Sequence, residues 1–264
     1  MKSVTVFLAA VLVLEATALP TVLRFSQERA VLKPQLVRLH QVPIVKDKVG
    51  VDLCPTCVDF TTQAINALLE IILNGGVLTA CSDLCGALAN KTGSQAVGAI
   101  CDVLCSIVGV EEFIQLIQDA DLDPIYFCEL ITVCPVFDSG DANITALTVK
   151  PPQGPQGTSF IVDIEYTSKN GTGTGELVIE LDTVDGIPVA SAFLQQKQPP
   201  GTYGSKITIH AKPDPDCDPT QGPCEMWLPG TYIVKIALCN GECGSLHPHS
   251  QIYDTGSTNF TITG

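Results

Sequence analysis

The chain holds 264 residues at 27.9 kDa, enough for about two domains at roughly 150 residues each. Twenty-eight acids against 14 bases leave a formal charge of −14, which excludes the basic face that nucleic-acid phosphates require. With 45% apolar and 16% charged residues the chain can bury packed cores, while 22 Gly and 18 Pro demand many turns.

Residues 1–18 read as a signal peptide. Lys2 precedes the apolar run Val4 to Leu14, and Ala16-Thr17-Ala18 supplies the small-x-small cleavage pattern. That run is too short for a span of about 20 residues, so no membrane helix is predicted and the protein is expected to be secreted, by way of acidic vesicles. Twelve cysteines on an oxidising route point to disulfides. Asn90, Asn143, Asn170 and Asn259 each head an Asn-x-Thr sequon, the acceptor pattern for surface glycans.

Charge then marks the boundaries. Residues 19–50 carry six bases against two acids, a basic leader or propeptide able to dock on the acidic module behind it. Residues 51–138 hold 12 acids and the single base Lys91, and residues 139–264 hold 13 acids and six bases.

From Val51 to Cys134 apolar residues recur at helical spacing. Cys57, Phe60, Ala64, Leu68 and Ile72 share one face of a long first helix, which Asn74-Gly75-Gly76 should stop. A second helix is expected over about Val77 to Leu88 and a third over Gln95 to Val108. Glu111-Glu112 opens a fourth at its positively polarised end, with the stripe Phe113, Leu116, Ile117 and Ala120. Asp123-Pro124 caps a fifth that runs to about Val133.

Cys81 and Cys85 lie four apart on one helix, as do Cys101 and Cys105 on the next, so each pair projects from a single face. Antiparallel helices can close these as a ladder, Cys81 with Cys105 and Cys85 with Cys101. The nesting extends outward to Cys57 with Cys128 and Cys54 with Cys134. This is one choice among the 105 pairings that eight cysteines allow, made on helix geometry.

With Cys54-Pro55-Thr56-Cys57 opening helix one, the inner cysteine set, and Asp123-Pro124 leading to Cys128 and Cys134, the segment resembles the saposin B-type family. The usual pattern there has six cysteines, and this chain inserts one more pair among Cys81, Cys85, Cys101 and Cys105. The run from Val108 to Pro135 is similar to that of countin-like secreted proteins of social amoebae, in which a saposin-type module precedes a β-rich region. The resemblance implies a disulfide-bonded five-helix leaf that opens along a hinge and presents apolar faces to acyl chains, or dimerises around them. Leu68, Leu69, Ile72, Phe113, Ile114, Leu116 and Ile117 are then the lipid-contact candidates, against the plainer reading that a helical bundle buries them in its core. The module's acidity implies that binding to anionic lipid strengthens as pH falls and carboxylates are neutralised.

After Asp138-Ser139-Gly140 the apolar period changes to two. Phe160, Val162, Ile164 and Tyr166 alternate with polar neighbours, as do Leu177, Ile179 and Leu181, and Ile207 and Ile209. Ile144 to Val149, Ile187 to Phe193, Tyr232 to Leu238 and Asn259 to Thr263 are further strands. About seven short strands predict an immunoglobulin-like β-sandwich, with Leu228-Pro229-Gly230-Thr231-Tyr232 as the approach to a tyrosine corner. Cys217 with Cys224 and Cys239 with Cys243 are chosen as local clasps among three connectivities. Cys239, Cys243, His247 and His249 also read as a zinc tetrad, a weaker reading because an oxidising compartment favours disulfides. No metal or other cofactor is expected.

No catalytic constellation is legible: the chain lacks Gly-x-Ser-x-Gly, the phosphate-cradling Gly-rich loop and His-Glu-x-x-His. The expected role is that of a non-enzymatic secreted protein engaging lipid or a membrane surface, and a protein partner or second copy in an extracellular complex that regulates cell-group size or adhesion. Membrane permeabilisation and activation of an acid hydrolase are the alternatives.

Overall fold

The computed structural model describes residues 40–43, 53–74, 79–120, 123–220 and 222–264. The signal-peptide segment 1–18 and most of the leader lie outside these.

Five helices come first: α1 (Leu53–Asn74), α2 (Cys81–Thr92), α3 (Gln95–Val108), α4 (Val110–Asp119) and α5 (Pro124–Leu130). On α1 the residues Cys57, Phe60, Ala64 and Leu68 are buried along one face, which fits their three-and-four spacing. By length and composition α1 could also cross a membrane, yet its apolar face is spent on the helical core. Helix α2 begins at Cys81, later than the expected Val77, and runs past Leu88 to Thr92. Its limits are set by Ala80, whose backbone is extended, and by Gly93, whose φ of 69° is the left-handed exit a helix end favours. Ser94 caps α3 by accepting from Val97 N, and Asp123 caps α5 by accepting from Tyr126 N. Helix α5 ends at Leu130, short of Val133, where Thr132 turns to positive φ.

The β module follows: β2 (Asn143–Lys150), β3 (Gln153–Pro155), β4 (Ser159–Ser168), β5 (Gly175–Asp182), β6 (Val189–Gln195), β7 (Gly201–His210), β8 (Gly230–Asn240) and β9 (Gln251–Thr263). A further strand, β1 (His40–Pro43), comes from the leader. The four-stranded sheet has the order β1-β7-β4-β2 and the five-stranded one β3-β9-β8-β5-β6. All pairings are antiparallel except β3 with β9. Both sheets turn their apolar side inward, Phe160, Val162 and Ile164 from one and Leu177, Ile179, Val234 and Ile236 from the other. An aromatic stack crosses this core: Phe160 on Phe260 at 4.1 Å, Phe260 on Tyr232 at 5.2 Å, and Tyr232 on Trp227 at 5.5 Å.

Strand β9 starts at Gln251, eight residues before the expected Asn259, because Tyr253 and Asp254 are only half-buried and break the apolar alternation without breaking the pairing to β8. The four described leader residues pair with β7 of the β module, Gln41 opposite Ile207 and Val42 opposite Lys206, while the six leader bases expected to dock on the acidic helices lie outside the described residues.

Candidate functional site

All four nested pairs close within the helical module: Cys54–Cys134, Cys57–Cys128, Cys81–Cys105 and Cys85–Cys101. The ladder needs α2 and α3 to approach closely, and Gly98 permits it. A Cβ there would sit 2.7 Å from the Ala89 Cβ and 3.1 Å from the Cys85 carbonyl oxygen. The outer pairs tie α1 to α5 and its exit, where Thr61 Oγ1 bonds back to Cys57 O at 2.8 Å and lies 3.6 Å from Cys128 Sγ.

The apolar residues singled out in the sequence divide sharply. Leu68, Phe113 and Ile117 are fully buried, with Phe113 edge-on to Phe127 at 5.5 Å. Leu69, Ile72, Ile114 and Leu116 are half-buried and packed against the same core. In this closed arrangement the first three cannot touch lipid, because each completes the contact between neighbouring helices. A different set faces solvent. Ala96, Ala99, Val103 and Ile107 are exposed along α3, with Val103 at 55% and Ile107 at 46%. Their steps of three and four put them on one face, and α3 carries a single charge, the half-buried Asp102. Sequence reasoning could have found them, since Cys101 and Cys105 must point at α2 and these four lie on the opposite side of the same helix.

The two modules meet along a polar seam. Residues 241–250, between β8 and β9, reach across to the helices: Ser245 Oγ donates to Asp123 Oδ2 at 2.6 Å, His247 stacks on Tyr126 at 4.4 Å, and His249 Nδ1 meets Asp138 Oδ1 at 2.7 Å. Nearby, Thr174 Oγ1 donates to Pro135 O at 3.1 Å, Lys197 lies over the Phe137 ring, and Leu194 packs on the helical core. Within the seam Glu129 is 6% exposed and its Oε1 has no hydrogen-bond partner. Burial, then the charges of Asp123 and Asp138, push its carboxyl up to about 8. The Tyr253 phenol is also raised, chiefly by burial and further by Asp141, Asp138 and Glu129.

At the tyrosine corner, Tyr232 donates its hydroxyl to Leu228 O at 3.0 Å and lies 3.2 Å from Glu225 Oε1. Glu225 is 3% exposed, accepts from Trp227 N at 2.6 Å, and shares a hydrogen bond with Asp185. Burial first, then that contact, raise Glu225 to about 7. On Asp185 burial pulls upward, but hydrogen bonds from Glu225 and Thr183 prevail and lower it, so Glu225 carries the shared proton.

Asn90, Asn143, Asn170 and Asn259 are all exposed, and Asn143 Nδ2 donates to Asp254 Oδ2 at 3.1 Å. The zinc tetrad is not assembled. Cys239 is bonded to Cys243 and Cys217 to Cys224, so these sulfurs are not thiolates, while His247 and His249 are engaged at the seam. Among the described residues no cluster of three or more His, Cys, Asp or Glu is placed to hold a metal.

Comparison with known proteins places both modules. The countin N-terminal domain family matches residues 52–132 and the countin C-terminal domain family residues 142–264. The chain is similar to Countin-1 of Dictyostelium discoideum, at 39% identity over 81% of this chain and 79% of the relative. It is also similar to Countin-3 of that organism, at 34% over 79% and 89%, and to Countin-2, at 33% over 83% and 82%.

Proposed function

Because the chain belongs to the countin family, we propose that it is a secreted, non-enzymatic component of an extracellular complex that regulates cell-group size or adhesion. The observation carrying this reading is the match in order: both family domains fall in sequence on the helical and the β module, and relatives at 33–39% identity are covered over most of their length. The six disulfides among the described residues suit an oxidising exterior. Native mass spectrometry of secreted material, with addition of purified protein to aggregating cells, tests the proposal. A larger assembly and a dose-dependent change in group size are expected; a lone monomer without effect on group size overturns it.

The helical unit reads best as a saposin-like leaf and the two-sheet unit as an immunoglobulin-like sandwich. On that reading lipid or membrane contact runs through the exposed α3 face of Ala96, Ala99, Val103 and Ile107, and is favoured in acid as the surrounding carboxylates are neutralised. Sedimentation with anionic liposomes at pH 7 and 4.5 is the test, with stronger binding at the lower pH expected. Equal binding at both removes the pH dependence, and dye release alongside binding makes the protein a membrane-permeabilising effector. Glycans at the four exposed sequons complete the reading, checked by the mass lost on enzymatic deglycosylation.

A further inference from the structure

We propose that residues 241–250 form a pH-sensitive latch that clamps α5 and the segment after it onto the β module in acid and slackens as pH rises. The loop is built to hold a shape. The Cys239–Cys243 disulfide closes its root, Cys243 N donates to Glu176 Oε1 at 2.7 Å, Gly241 N donates to Thr174 O at 2.9 Å, and Asn240 Nδ2 donates to His249 O at 2.6 Å. From this frame Ser245, His247 and His249 reach one short stretch of the helical module, at Asp123, Tyr126 and Asp138.

The pH dependence centres on Glu129. Asp123 and Asp138 place negative charge around Glu129, whose buried Oε1 lacks a donor, so a neutral Glu129 fits the closed seam and an ionised one does not. His249 Nδ1 lies 2.7 Å from Asp138 Oδ1 and fixes that carboxyl group at the seam. Tyr253, which also faces Asp138, Asp141 and Glu129, has its phenol raised and stays neutral through this range. With its carboxyl raised to about 8, Glu129 stays neutral in acid, so the grip is held below that value and lost as pH rises through it. Across the rest of the seam the Thr174–Pro135 bond and the Leu194 packing involve no ionisable group, and Lys197 lies over the Phe137 ring. The modules therefore stay joined while the latch loosens.

Hydrogen-exchange mass spectrometry of the full chain at pH 5.5 and 8.5, corrected for intrinsic rates, reads the latch directly in peptides covering 123–138 and 241–250. Protection in both is expected to fall about tenfold or more at the higher pH, with β4 and β8 unchanged. Glu129→Gln, which cannot ionise, should keep at pH 8.5 the protection seen at 5.5. Asp138→Asn removes one of the charges that raise Glu129 from an exposed position, and should move the loss of protection to lower pH, read at intermediate pH values, even if Glu129→Gln folds poorly. Equal protection of the wild type at both pH values, a wild-type slope in a folded Glu129→Gln, or an unmoved midpoint in Asp138→Asn overturns the latch.

Discussion

Tyr232 and Glu225 meet at 3.2 Å beneath the turn before β8, joining the tyrosine corner to a buried carboxyl group that shares its proton with Asp185. The raised acid makes this corner pH-dependent. Stability from neutral Glu225 is fully present below its ordinary value of 4.5 and is lost as pH rises through about 7. Thermal unfolding between pH 4 and 8 should show that decline, and Glu225→Gln should flatten it. Tyr232→Phe should cost about 1–3 kcal/mol, since it removes a donor from buried acceptors.

The disulfides are expected to rank by the loop each closes. Cys57–Cys128 spans 71 residues and Cys217–Cys224 spans 7. On the chain-entropy account these contribute about 4 and about 2.5 kcal/mol. Paired Cys57→Ser and Cys128→Ser changes should therefore lower the denaturation midpoint more than paired Cys217→Ser and Cys224→Ser changes, read by far-ultraviolet circular dichroism.

On α3, Val103→Asp with Ile107→Asp tests the exposed apolar face. Liposome sedimentation at pH 4.5 should fall several-fold, while stability moves by no more than about 0.5 kcal/mol, the usual range for surface sites. The contrasting change Leu68→Ala, in the core, should cost about 2–5 kcal/mol and leave lipid binding of the folded fraction intact.

Removing residues 1–43 would uncover the backbone edge of β7 that His40–Pro43 now pairs with. An unpaired strand edge is a template for another chain. Light scattering should show greater self-association of the truncated protein than of one beginning at residue 19, and identical masses for the two would argue that the leader strand protects nothing.

Much of the helical module was readable because helix periodicity and cysteine spacing are local. Cys81 and Cys85 share a face because they lie four positions apart, and Cys101 and Cys105 likewise, so facing ladders follow from geometry within one hairpin. The strands announced themselves the same way through alternation, as in Phe160 to Tyr166, and the Leu228–Tyr232 turn through its Pro-Gly. Two short-range patterns therefore carried the module order, and with it the family.

The seam was not readable. Ser245 and Asp123 lie 122 residues apart, and His249 and Asp138 lie 111 apart. Nothing in the spacing of the His-Pro-His loop says that its rings will stack on Tyr126 or face Asp138. Whether Glu129 keeps its proton depends on which surfaces exclude water from it, a property of packing and not of neighbours along the chain. For the same reason Leu68 and Val103, alike in sequence as apolar helix residues, ended on opposite sides of the protein surface. Local chemistry dictated the elements, and only their meeting in space settled which groups are buried, charged or free to bind.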